Sequence, residues 1–162
     1  MPKNNLAQQF LIVIVMMILA FYFQEIAGSQ VIQKALPAWP FVLTLYFSVS
    51  SRFFFSVFSA FIVGLIQDTL MSIPTLGLHA GIYVLAAFVI IVSRMQFKYL
   101  SLMSQTLVVG ALVFVKILAV MLYESFFYSP PSHLWDFLSI PFSMLFWIVL
   151  RYFFLIFSKK YR

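Results

Sequence analysis

The sequence predicts an all-α membrane protein, one integral domain over 1–162 that crosses the bilayer as six transmembrane helices. Three observations predict it: composition, the length of the apolar runs, and the placement of charge. Hydrophobic residues make up 64% of the chain and charged residues 9%, against roughly 25% charged in an average soluble domain. With a mean hydropathy of +1.07, that much apolar surface cannot be hidden from water. The apolar runs approach the roughly 20 residues that a hydrocarbon core of about 30 Å requires, and they lack the alternation of a membrane barrel. Helices are then the spanning structure, because each satisfies its own backbone where no water can.

The helices are expected at 10–26, 36–50, 53–72, 77–93, 102–123 and 137–157. The first is the apolar stretch Phe10 to Phe23 behind Lys3. A cleaved signal is a second reading of it, since small residues follow at Ala27, Gly28 and Ser29. The second helix is short. Pro37 and Pro40 fit only at a helix start, which leaves about 15 residues, or roughly 22 Å, before Arg52. A tilted neighbour or a thinned bilayer accommodates such a length. Joining Phe41 to Ile62 in one helix would place Arg52 near the bilayer centre at about 2.5–3.5 kcal/mol, so a turn is expected at Arg52.

In the third helix Ser56, Ala60, Gly64 and Asp68 recur every four residues and share one face. Small residues at this spacing let a neighbouring backbone approach closely. The fourth opens with Gly77 and Gly81, a GxxxG pair, with His79 between them and Tyr83 one turn on. The connection Met71 to Leu76 is short enough to make these two helices antiparallel neighbours. Within it Pro74 breaks the helix, and Thr75 or Ser72 is placed to cap the next one.

Asp68 is not explained by turn chemistry. An acid inside a membrane helix marks a functional site by default and needs a partner. The candidate is Lys116 in the fifth helix, because the two sit about 22 Å and about 21 Å up their helices at 1.5 Å per residue. An Asp68–Lys116 ion pair is one reading; the other is that each side chain snorkels separately or faces a wet cavity. The sixth helix carries Trp147 and ends in a basic tail.

Charge placement orients the chain. With the N-terminus in the cytoplasm, Lys3, Arg52, Arg94, Lys98, Arg151, Lys159, Lys160 and Arg162 fall inside and Lys34 alone falls outside. Both termini are then cytoplasmic. The net charge of +6 reads as this orientation signal facing anionic lipid, with no basic groove or stacking platform for nucleic acid.

Little in the chain supports catalysis. There is no cysteine, and no G-x-S-x-G elbow, zincin helix or phosphate loop occurs. Neither enzyme activity, metal nor cofactor is expected. His79 reads as a helix-packing donor near Tyr83, and His133 as a loop residue. The longest outer connection, Glu124 to Phe137, holds Phe126, Phe127, Tyr128 and Trp135 around Pro130 and Pro131. It reads first as an interfacial aromatic belt, with which a stiffened docking rim is compatible.

The run GLIQDTL at Gly64 to Leu70, LGLHA at Leu76 to Ala80, the Pro37 to Pro40 entry followed by LTLYF, and Trp147 ahead of the basic tail together resemble the rod shape-determining MreD family. The resemblance spans nearly the whole chain and marks Gly64, Asp68, Gly77 and His79 as its motif, without a catalytic role. It implies a bacterial inner-membrane subunit of the cell-elongation machinery for peptidoglycan synthesis. Such a subunit binds the single-span protein MreC and is linked through it to MreB, RodA and a class B penicillin-binding protein. The architecture it implies is similar to the substrate-binding subunits of energy-coupling-factor transporters. A small-molecule-binding transporter subunit is accordingly the alternative, with Gln67, Asp68, His79 and Glu124 as its outward cluster.

Overall fold

The computed structural model describes residues 6–26, 35–50, 56–70, 77–127 and 133–160. Within them the chain runs as α1 (Leu6–Glu25), α2 (Trp39–Ser50), α3 (Val57–Leu70), α4 (Leu78–Val92), α5 (Arg94–Tyr99), α6 (Leu102–Phe127) and α7 (Ser139–Lys160), with a 3-10 turn at His133–Leu138 before the last. The turn expected at Arg52, the capping residues Ser72 and Thr75, and the loop residues Tyr128, Pro130 and Pro131 lie outside the described residues, as does the side chain of His133.

Two stretches, Leu102–Phe127 and Trp135–Leu155, are each long and apolar enough to cross a bilayer. Only Ser93 separates α4 from α5; its N–H donates to Val89 O, and the Phe97 N–H donates to Ser93 O.

The short helix α2 is the centre of the molecule. Every residue from Pro40 to Val49 is buried, the condition of a helix apolar on all sides. Around it pack α1, α4, α6 and α7. Tyr46 stacks on Phe154 at 4.6 Å and meets Trp147 edge-on at 5.8 Å, while Phe41 meets Tyr83 at 5.0 Å. By contrast α1 buries a narrow seam at Met17, Ala20 and Gln24 and exposes most of its apolar residues.

A helix this short ends inside apolar surroundings, where its orphan N–H and C=O groups cannot reach water. Side chains from other helices supply the partners. The Ala38 N–H donates to the Ser143 hydroxyl of α7 at 3.0 Å, and the Arg94 guanidinium donates to Ser48 O in the last turn of α2. The same device closes α5, whose Phe97 and Leu100 carbonyls accept from the Gln105 amide at 3.2 and 3.0 Å. Hydroxyls inside helices bond back four residues instead, Thr44 to Pro40 O and Thr106 to Leu102 O. The shortness of α2 is thus met by burial and by caps in trans.

Candidate functional site

Asp68 lies in the last turn of α3, where the dipole of its own helix disfavours a negative charge. The favourable field comes from the next helix. Its Oδ2 accepts the Gly77 N–H at 2.9 Å and the Ala80 N–H at 3.1 Å, and its Oδ1 accepts the His79 N–H at 2.9 Å. The His79 Nδ1 lies 3.0 Å from the same Oδ1. Since that oxygen is an acceptor, the bond assigns the imidazole proton to Nδ1. Asp68 and His79 are 1% and 2% exposed. One carboxylate thereby satisfies the orphan donors at the start of α4, a cap delivered by the preceding helix.

Two glycines make this possible. A Cβ on Gly64 would lie 2.4 Å from Ala80 Cα and 2.8 Å from Ala80 N, so α3 and α4 touch backbone to backbone one turn before Asp68. Gly77 adopts φ 113°, a left-handed conformation that L side chains rarely take. It turns the chain so that three donors, the N–H groups of Gly77, His79 and Ala80, point back at the carboxylate. Gly64, Asp68, Gly77 and His79 therefore form one structural unit.

Several expectations are corrected here. The Asp68–Lys116 ion pair does not form, because the carboxylate is occupied by Gly77, His79 and Ala80. Lys116 instead places its Nζ 5.7 Å from the centroid of Phe41 on α2, within cation–π range, and within electrostatic reach of His79 and Asp136. The GxxxG pair is not a packing face inside the molecule: Gly81 is exposed and a Cβ there would meet nothing within 4 Å. The close approach uses Gly64 against Ala80, a residue that sequence spacing did not single out. His79 packs as the partner of Asp68, and the helix start it belongs to is capped by that acid. The aromatics Phe126, Phe127 and Trp135 are 82%, 66% and 47% exposed, with Phe127 stacked on Tyr123 at 4.7 Å.

Sequence reading also missed Ser143 and Arg94 as caps of α2. The signal was present as a polar residue inside an apolar run, but which helix end it serves depends on tertiary contact.

Chemically this unit is a clamp. The acid spends its hydrogen-bonding capacity on helix closure and on the Nδ1 of the imidazole, and among the described residues no group of three or more His, Asp or Glu is placed to hold a metal.

The fold and the clamp define an all-helical membrane protein whose one buried carboxylate ties two helices together. Residues 5–157 match the family model for rod shape-determining protein MreD, and the chain belongs to that family of shape-determining membrane proteins. No curated protein and no solved structure matches it.

Proposed function

We propose that this chain is a non-enzymatic scaffold subunit of the bacterial cell-elongation machinery that maintains rod shape by binding MreC. Through MreC it is linked to MreB, RodA and a class B penicillin-binding protein. It crosses the inner membrane six times with both termini in the cytoplasm, in an architecture similar to energy-coupling-factor substrate-binding subunits. The observation that carries this reading is the family match over 5–157. The clamp supports it, because a carboxylate committed to backbone donors makes a rigid body.

The docking surface in this reading is the rim at the end of α6 and in the 3-10 turn. Phe126, Phe127 and Trp135 present large apolar area there at low ordering cost. Asp68 and His79, two of the four residues of a transporter-type cluster, are already engaged with each other, which weighs against a small-molecule subunit.

Depletion of the protein in its host is expected to convert rods to spheres. Affinity purification from that membrane is expected to bring down MreC from wild type, and much less from a Phe126→Ala/Phe127→Ala/Trp135→Ala variant. Cells that keep rod shape on depletion would remove the proposal. MreC retained at wild-type level by the triple variant would remove the rim, and an ATPase module co-purifying in place of MreC would favour transport.

A further inference from the structure

Beside the clamp lie polar groups that helix closure does not use. Gln67, next to Asp68 on α3, is 1% exposed, and among the described residues neither its amide nitrogen nor its amide oxygen has a hydrogen-bond partner. Tyr83 on α4 is fully buried, its hydroxyl likewise unpartnered and within electrostatic reach of Asp68. Lys116 enters from α6, with its Nζ over the Phe41 ring and within electrostatic reach of His79. The Tyr83 ring lies against the same Phe41, 5.0 Å between centroids. An amide, a phenol and an ammonium from three helices are thus gathered at the Asp68 end of the bundle, two of them against one ring of α2.

None of these groups suits an apolar interior. A buried amide or hydroxyl without a hydrogen bond is strongly disfavoured, and such groups are satisfied by protein or by ordered water. The ammonium is the harder case. Lys116 lies near the middle of α6, a span long and apolar enough to cross a bilayer, and a ring face returns only a small part of the hydration that a buried charge gives up. Asp68 does not serve it, because both carboxylate oxygens are held by Gly77, His79 and Ala80. Asp136 acts on it through its field, from the 3-10 turn before α7. Intramembrane charges of this kind face the bundle interior or a watered cavity.

The chemistry of the three side chains selects what joins them. Lys116 offers donors alone, Gln67 offers donors and an acceptor, and the Tyr83 hydroxyl does both. Their common ligand must therefore accept and donate. An acyl chain does neither, and an anion would face the Gln67 oxygen with negative charge. Water does both. We propose that Gln67, Tyr83 and Lys116 hold a cluster of ordered water inside the bundle, a hydrated chamber that solvates the Lys116 ammonium within a membrane span. Buried waters that make several hydrogen bonds to otherwise unpaired groups are a regular part of folded proteins. The chamber depends on neither the direction of insertion nor the identity of any protein partner.

Radiolytic footprinting of the full chain in nanodiscs tests this, because bound water split by X-rays oxidises the side chains beside it. Phe41 and Phe47 are the same residue type on the same helix, and both are 0% exposed, so they differ in surroundings alone. Phe47 is set among the rings of Tyr46 and Phe154. In wild type, Phe41 and Tyr83 are expected to be oxidised severalfold faster than Phe47. Gln67→Leu and Lys116→Met each remove a holder of water while keeping most of the side-chain volume, and they should slow oxidation of Phe41 and Tyr83 severalfold with Phe47 unchanged. Thermal unfolding reports whether each variant folds, and the wild-type comparison decides even where one does not. Phe41 and Tyr83 oxidised no faster than Phe47 would overturn the proposal and leave Gln67 and Tyr83 to pair with each other. Rates unchanged in both folded variants overturn it as well, as does a parallel change at Phe47, which would mark a general loosening of the bundle.

Discussion

The two ends of the bundle close helix termini with opposite charges. At one end Asp68 takes the N–H groups that open α4; at the other Arg94 takes a carbonyl that ends α2. Both obey the same field, an anion at a helix N-terminus and a cation at a C-terminus. They differ in what remains afterwards. The acid is enclosed by three backbone donors and an imidazole, and it leaves nothing for a visitor. The arginine end gathers further basic residues, Lys98 on α5 and Arg151 on α7. A helix terminus in apolar surroundings must be satisfied in trans, and the charge chosen for the task follows the polarity of the terminus it closes.

The sharpest way to break the comparison is Asp68→Ala. It strips the partner from three buried N–H groups and from His79, and removing one side of a buried charged network costs about 3–5 kcal/mol. Folded yield in the membrane should fall severely, and thermal unfolding of the purified protein should show the loss. A variant within about 1 kcal/mol of wild type, a surface-mutation-sized effect, would mean that the sealed end is held by something other than the acid. Next in size is Gly64→Ala. Its Cβ would collide with the Ala80 backbone, so α3 and α4 must part, at the upper end of the about 1–3 kcal/mol typical of overpacking. The carboxylate loses alignment with its donors as they part. Amide hydrogen exchange at 77–80 reads this directly, and unchanged protection there would show that the clamp tolerates separation.

At the arginine end, Arg94→Gln should cost about 1–3 kcal/mol, the penalty for leaving a buried carbonyl with a weakened partner. Arg94→Lys should recover part of it, since a cation at the helix C-terminus is kept. Thermal unfolding of the pair against wild type checks the order. Equal stability in all three would separate Arg94 from the closing of α2.

Much of the sealed end was legible in the sequence. The four-residue spacing that ends in Gly64 and Asp68 identified the face, and the short connection identified α3 and α4 as neighbours. The partner of Asp68 was not legible, for a physical reason. Counting depth along two helices pairs Asp68 with Lys116 but ignores direction around the axis, and backbone N–H groups are donors that no side-chain pattern displays. One clue was present: an acid in the last turn of its own helix is electrostatically misplaced, so its field had to come from another helix. The family was legible from the same residues, because Gly64, Asp68, Gly77 and His79 act together. The centrality of α2 was not. In a membrane protein an all-apolar segment reads the same whether it faces lipid or core, and its prolines marked its start without revealing its burial.

The smallest effects discriminate among glycines. Gly110 on α6 faces the Met144 thioether, where a Cβ would lie 2.9 Å from Sδ. That neighbour is the far end of a flexible side chain able to swing away, so Gly110→Ala should cost under about 1 kcal/mol, at the low end for overpacking. Gly81→Ala should cost nothing within the molecule. The residue is helical and open on every side, so the substitution is expected to gain up to about 1 kcal/mol in helix propensity. Because Gly81 packs against nothing in the monomer, the same variant is informative in the cell. Purified stability equal to or above wild type, together with lost MreC co-purification or lost rod shape, would assign the open Gly81 face of α4 to a partner helix. Wild-type behaviour in both would leave that face to lipid.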